Sequence, residues 1–456
     1  MIGSNIIKKT DSYKVSHWKQ YPEGTQTVMS YIESRGGKFD ETVFFGLQYI
    51  LLKHLSEPIT MRDITEGKKF WDAHLGPGVF NIEGWEHIVT DHDGYLPLII
   101  KAVPEGTVVP VSNALVTCEN TCPDCFWLTN YIETLLMQVW YPITVATLSR
   151  EIKKVILKAL EISGDPSLID FKLHDFGFRG VSSFESAAVG AAAHLINFKG
   201  TDTAAGLELI NKYYHEEMAG FSIPAAEHST ITAWGENNEV DAFNNMLEQF
   251  PKGIVAVVSD SYDIYRACSE LWGKELKDKV LARDGIVVVR PDSGVPHQVV
   301  LKVINILGDK FGYEVNSKGY RVLNPKIRVI QGDGIDYEEI NLILKTLLDN
   351  NWSAENIAFG MGGALLQKLD RDTLKFAMKC CSVTIDGKQQ DVFKKPIGTD
   401  WKKSKAGRLK LINQDGFYKT VNEKIEVENE LKTVYKDGEF INEYLFSTIR
   451  ERAKIK

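Results

Sequence analysis

His174, Asp175, Phe176 and Arg179 crowd into one short run, HDFGFRG, with two glycines among them. A turn holding a buried aromatic and a solvated arginine explains that run as readily as a binding loop does. Asp202 closes NFKGTD and is equally suited to cap a helix starting near Thr203. His228 stands beside Glu227 in PAAEHSTITAWG, and a lone histidine is more often a hydrogen-bonded bystander than a catalyst. Asp260 and Asp263 lie in SDSYDIY, Arg290 and Asp292 in VVVRPDSG, and Asp333 between two glycines in QGDG. One acidic strand end is unremarkable. Several around one mouth suit two tasks: accepting hydrogen bonds from ribose hydroxyls, or sharing Mg²⁺ with phosphate oxygens. In FGMGGALLQK, Gly362 and Gly363 would let backbone N–H groups approach a phosphate at a helix N-terminus. Between Lys394 and Lys410 seven cations accompany a single acid, Asp400. That stretch is either a solvated basic loop or a lobe that neutralises a polyanion such as pyrophosphate.

Apart from Asp263 and the basic stretch, these residues share a position. They lie toward the ends of seven short runs, at 171–180, 194–202, 221–228, 254–261, 285–294, 326–334 and 356–363. Segments with helical spacing, such as 203–214, 299–311 and 337–349, lie between them. Repeated strand–loop–helix units predict a parallel α/β arrangement, and apolar runs such as IVAVV and GIVVV fit strands covered on both faces. Periodicity alone allows a doubly wound sheet or a closed barrel. Polar residues after seven separate strands favour a (β/α)8-like barrel, where all strand ends meet at one mouth. The first 140 residues and the stretch after about 380 mix strand-like and helix-like pieces. The expected organisation is an N-terminal α+β domain over 1–145, a barrel domain with the active site over 146–378, and a C-terminal segment over 379–456 that packs with the N-terminal domain.

The 456 residues are 44% hydrophobic and 25% charged, with a net charge of −8. That balance suits a globular protein with a large core and argues against a general nucleic-acid binder. No signal-peptide core or membrane-length apolar run is present, so a soluble cytoplasmic protein is expected. Six cysteines in such a chain do not suggest a disulfide framework. Cys118, Cys122 and Cys125 invite zinc, but no second Cys or His pair with finger spacing follows them. Reduced structural thiols are therefore expected.

The motifs TDSYKVSHWKQYP, ETVFFGLQYIL, WYPITVAT, KLHDFGFRGVSS, NFKGTDT, IPAAEHSTITAWG, VVSDSYDIY, RPDSG, RVIQGDG and NIAFGMGGALLQK occur in that order. As an ordered set covering nearly the whole chain, they resemble the nicotinamide phosphoribosyltransferases, a type II phosphoribosyltransferase family. The resemblance implies transfer of a phosphoribosyl group from phosphoribosyl pyrophosphate to nicotinamide. It implies a homodimer with shared active sites, Mg²⁺, and ATP as co-substrate or activator. It places the nicotinamide ring between Phe176 and Tyr13 of the partner subunit, with Asp202 accepting from the carboxamide and Arg290 close by. Arg179, Asp292, Gly332, Asp333, Gly362 and Gly363 would hold the ribose and its phosphate. Arg35, Arg371, Lys379, Lys394 and Lys402 would hold phosphate and pyrophosphate across the interface. His228 matches a histidine phosphorylated when ATP is coupled. Asp260 supports it and Asp292 completes the catalytic set. Mg²⁺ would come with pyrophosphate, with Asp260 and Asp292 as candidate contacts to it. Ala256, Met361 and Ala377 depart from the family pattern.

Three rivals remain in view. A nicotinate or quinolinate enzyme of the same fold would want cations facing the ring's acid, where this chain offers Asp202. A sugar-phosphate lyase or aldolase would want a Schiff-base lysine at a strand end, and none of the seven runs ends in one. A non-catalytic binding or signalling protein could keep the fold, since fold alone does not settle function.

Overall fold

The computed structural model describes residues 5–395 and 404–455. The chain divides into two compact units. The first comprises Met1–Thr147, Tyr213–His215 and Asp370–Lys454, and the second comprises Leu148–Lys212, Glu216–Leu369 and Ile455–Lys456. The later change of unit falls at Asp370, ahead of the 379 expected from the sequence. The reason is strand Phe376–Ile385, which straddles position 379 and pairs along its length with Thr25–Ser34.

The first unit is built on a seven-stranded sheet. Its order is Lys388–Asp391, Phe376–Ile385, Thr25–Ser34, Ala114–Asn120, Leu98–Ala102, Lys432–Lys436, Glu439–Phe440, with every neighbour antiparallel. Strands from the start of the chain thus occupy the centre, and strands from its end flank them on both sides. Val28, Tyr31 and Ile32 of the central strand are fully buried, each such side chain contributing roughly 1.5–3 kcal/mol.

The second unit carries the parallel sheet. Its strands are Leu173–Asp175, Gly200–Thr201, Lys252–Val258, Asp284–Arg290, Ile327–Gln331 and Ile357–Met361. The sheet is curled. Ile357–Met361, the last in sequence, pairs with Leu173–Asp175, the first. The remaining gap is spanned by an extended segment: Phe221 bridges Gly200 and Ala225 bridges Ala256, both parallel. Going round, each strand neighbours the next in sequence. Among the described residues the ring therefore has seven members, one of them irregular, where the barrel expectation was eight. A doubly wound sheet would have left two free edges.

The local causes are plain. KGIVAVV and DGIVVVR are β-branched and buried toward their C-terminal ends, as strands covered on both faces must be. Helix Pro296–Phe311 buries Val299, Val300, Val303, Ile304, Leu307, Gly308 and Phe311 on one stripe. Helix Tyr337–Asp349 is capped by Asp336, whose side chain accepts from Glu339 N, and buries Ile340, Ile343, Leu344 and Leu347. Ala256, Val288 and Ile330 fill the ring's interior, with Phe176, Ile223, Ile286 and Ala358 packed against them. The ring is thus a plugged core open for chemistry only at its mouth. No described helix is long and apolar enough to cross a membrane.

Candidate active site

A cleft of about 500 Å³ opens in the second unit, lined by residues that follow different strands. His174 and Phe176 come from the first strand's end, Asp202 from the second, His228 from the bridging segment, and Arg290 and Asp292 from the strand ending at Arg290. The volume suits a small molecule.

Phe176 is the aromatic wall. Its amide donates to Met361 O at 3.0 Å. The ring lies over Gly360, where a Cβ would stand 1.9 Å from it, so only glycine permits this approach. The Arg290 guanidinium sits 5.6 Å from the ring centroid and donates to Asp292 Oδ1, from Nη2 at 2.8 Å and Nε at 3.2 Å. Arginine and carboxylate hold one another, and the cation also covers an aromatic face.

Asp260 organises the adjoining corner from a nearly buried position. His228 Nε2 lies 3.0 Å from its Oδ1. Its Oδ2 accepts from Asp292 N at 3.0 Å and from the Ser293 hydroxyl at 2.6 Å. His228 itself is half-exposed, with Nδ1 3.9 Å from Asp292 Oδ2. Asp263, its neighbour in SDSYDIY, does something else: its Oδ1 accepts from Tyr265 N and Arg266 N and caps a helical turn.

Asp202 is exposed in the cleft, and the Ser222 hydroxyl donates to its Oδ1. Burial holds the His174 imidazole below its usual pKa, with Asp202 pulling the other way. Asp175 points elsewhere. It is fully buried and accepts from Gly177 N at 2.7 Å and Thr201 Oγ1 at 3.1 Å. Burial raises its pKa, and its work is to shape the turn that presents Phe176.

The other expected residues divide. Arg179 lines the cleft from an exposed position and makes no ion pair among the described residues. Gly332 lies against Arg290 and Phe176, and Gly362 against the Phe176 carbonyl. Gly363 faces Gly180, and Asp333 is exposed. The helix after the glycines runs only from Gly363 to Leu366. One turn has little macrodipole, so any phosphate there would depend on individual N–H groups rather than on a helix N-terminus. Met361 and Ala256 are both buried.

Arg35, Arg371, Lys379 and Lys394 line a separate cleft of about 490 Å³ in the first unit, together with Lys375, Ala377 and one acid, Asp372. Arg35 Nε donates to Glu33 Oε1 at 2.8 Å, while its Nη2 is buried without a protein partner. Burial lowers the Lys379 pKa. Glu133 opposes the shift, and Arg35, Lys394 and Arg371 add to it. Lys402 lies outside the described residues. Tyr13 is well exposed in the first unit, its ring edge-on to His17 at 5.0 Å. Ser222, Ser293 and Lys375 were not foreseen as site residues. Serines gripping a strand-end carboxylate leave only a weak signal: their place in the FSIPAAEH and RPDSG runs.

The model of the nicotinate phosphoribosyltransferase (NAPRTase) family matches residues 171–439, and that of the nicotinamide phosphoribosyltransferase N-terminal domain matches residues 5–100. A nicotinamide phosphoribosyltransferase of Xanthomonas campestris is 50% identical over 461 residues, spanning 98% of each chain. One from Acinetobacter baylyi is 33% identical, over 98% of this chain and 97% of its own. Among solved structures, a nicotinate-nucleotide pyrophosphorylase from Pyrococcus furiosus superposes with a TM-score of 0.62 at 17% identity, over 99% of this chain and 94% of its own. Human nicotinic acid phosphoribosyltransferase gives a TM-score of 0.59 at 16% identity, over 97% and 92%. Those two likenesses speak to fold alone.

Proposed function

The chain belongs to the nicotinate phosphoribosyltransferase family, and on that footing we propose that it transfers the phosphoribosyl group of phosphoribosyl pyrophosphate to nicotinamide, giving nicotinamide mononucleotide and pyrophosphate. One observation carries the choice of substrate. Asp202 faces the cleft with one carboxylate oxygen held by Ser222, and its other oxygen is left to accept from a carboxamide N–H. Nicotinate would bring a second carboxylate to that place, and two like charges at contact repel. Arg290 offers nicotinate little relief, because Asp292 already neutralises it.

In the reaction, the ring nitrogen attacks C1 of the ribose as the bond to pyrophosphate breaks. The electron pair leaves with pyrophosphate, through an oxocarbenium-like transition state. Phe176 fixes the ring's plane, and Asp202 sets its rotation. Positioning and charge stabilisation supply most of the effect. The cations at Arg35, Arg371, Lys379 and Lys394 suit a phosphate or pyrophosphate. An exposed Tyr13 suits a homodimer in which a second copy supplies the other face of the ring stack.

The residues do not fit a resident Mg²⁺. Both oxygens of Asp260 are already engaged, by His228, Asp292 N and Ser293, and Asp292 Oδ1 is taken by Arg290. A divalent ion belongs instead with the pyrophosphate, as part of the substrate. ATP coupling rests on His228. With Nε2–H directed to Asp260, Nδ1 keeps its lone pair, can attack the γ-phosphorus of ATP and releases ADP. Water then removes the phosphoryl group.

The test is product formation from phosphoribosyl pyrophosphate with nicotinamide and nicotinate offered in parallel, with and without ATP, on wild type and His228→Ala. Mononucleotide from nicotinamide is expected, with ATP stimulation in wild type only. Product from nicotinate alone would overturn the role of Asp202. An undiminished ATP response in the variant would remove the phosphohistidine.

A further inference from the structure

Four side chains that the reaction does not use converge in the first unit. His87 and His92 sit at the end of helix Ile82–Asp91, His92 being its C-cap. Cys122 and Cys125 bracket the turn Cys-Pro-Asp-Cys. One ligand atom from each of the four lies within 4.8 Å of every other. We propose that His87, His92, Cys122 and Cys125 form a tetrahedral structural Zn²⁺ site.

The chemistry of the set argues for zinc. Two thiolates and two neutral imidazoles balance the ion's two charges, and S₂N₂ tetrahedral ligation is a zinc signature. Binding releases two thiol protons. Zn–N near 2.0–2.1 Å and Zn–S near 2.3 Å give a tetrahedral N···S edge of about 3.5 Å. His87 Nε2 and Cys122 Sγ already stand 3.4 Å apart. The 4.8 Å limit on the other pairs asks the remaining side chains to close by about 1 Å onto the ion.

The surroundings match a metal site more closely than a chance cluster. His87 Nδ1 lies 3.0 Å from Asp91 Oδ2. A zinc-bound imidazole usually donates its other N–H to a carboxylate in just this way, which orients the ring and leaves Nε2 for the metal. His92 Nε2 is buried with no hydrogen-bond partner, a cost that a metal bond would relieve. Cys125 is fully buried. The turn is well held: Cys125 N donates to Cys122 O at 3.0 Å, and Asn120 Nδ2 donates to the same carbonyl at 2.8 Å. Trp85 of the helix packs edge-on against Trp127 beyond the turn, with centroids 5.0 Å apart. Helix and turn are therefore already registered, and the ion would pin them.

The ligand order explains why the sequence concealed the site. The spacing is His-x₄-His followed, after 29 intervening residues, by Cys-x₂-Cys. Both spacings fall in the zinc-finger range, but the histidines come first. A search downstream of the cysteines cannot meet them, so the expectation of plain structural thiols overlooked His87 and His92.

The test uses the full chain, purified reduced and without affinity metals, and reads zinc by elemental mass spectrometry. About one zinc per chain is expected, falling at least fivefold in Cys122→Ser/Cys125→Ser. Should that variant not fold, wild type carries the test alone. Protein stripped of zinc and titrated with Co²⁺ should show the intense visible absorption of tetrahedral cobalt with thiolate ligands, abolished by added Zn²⁺. Reduced wild type with less than about a tenth of an equivalent of zinc and no such cobalt spectrum would overturn the proposal. So would zinc retained undiminished by a folded double variant.

Discussion

The two clefts treat charge in opposite ways. In the cleft of the parallel-sheet unit, each buried or half-buried charge has a partner: Arg290 with Asp292, and His228 with Asp260. In the cleft of the other unit, five cations face one acid, and an Arg35 nitrogen is buried without a protein partner. Matched charges cost little to keep and hold side chains in place, which suits recognition of a neutral aromatic amide. Concentrated like charges repel one another: burial lowers the Lys379 pKa first, and Arg35, Lys394 and Arg371 lower it further. Beyond the pairs Arg35–Glu33 and Arg371–Asp372, the cluster leaves positive charge suited to an anion from outside. Nicotinamide is neutral and phosphoribosyl pyrophosphate is a polyanion, so the two proposed substrates call for these two designs.

The largest effect should come from breaking the cationic side. Arg35→Ala is expected to lower kcat/KM for phosphoribosyl pyrophosphate by about 100- to 1000-fold, the usual consequence of removing one charge-stabilising donor. Steady-state kinetics over a salt series would check it, and a loss below threefold would separate this cleft from the reaction. Asp202→Asn acts on the matched side. It should shift the ratio of nicotinamide to nicotinate use by about 10- to 100-fold toward nicotinate, read by competition between the two; an unchanged ratio ends the assignment.

A smaller effect extends the contrast to a lone acid. Glu105 is fully buried in the first unit. Its Oε1 accepts from Gln48 N at 2.7 Å, while Oε2 has no partner. Burial raises its pKa from 4.5 to about 7, against the backbone N–H groups that hold the charged form. The folded state therefore keeps a proton that the unfolded chain loses. The stability this proton contributes is full below pH 4.5 and declines as pH rises through 7. Glu105→Gln keeps the neutral shape at every pH. Its melting temperature should match wild type near pH 4.5 and exceed it above pH 7. Parallel melting curves across that range would show that Glu105 is already ionised without cost.

The fold was legible where local pattern is strong. All seven β-branched runs lie in the ring, because strands covered on both faces must be apolar along their length. The number of members was not legible: seven close the ring among the described residues, not the expected eight. Nothing local in Gly200–Thr201, two residues long, or in the bridging segment at 221–226 announces how many members close a ring. The cleft residues Phe176, Asp202, His228, Arg290 and Asp292 were readable as strand ends. Ser222 and Ser293 were not, because a hydroxyl that grips a neighbour's carboxylate looks like any loop serine. The flanking of early strands by late ones in the first unit's sheet lies beyond any local signal, since Thr25–Ser34 finds one partner some 350 residues away.

That distance has a cost during synthesis. A nascent chain that has not yet delivered residue 376 from the ribosome can place Thr25–Ser34 beside Ala114–Asn120, yet it must leave the opposite edge of that strand open. An apolar strand with a bare edge is an invitation to other unfinished chains. The protein completes its first-made strand almost last, so the interval between synthesis of residues 34 and 376 is the interval in which that edge stands open.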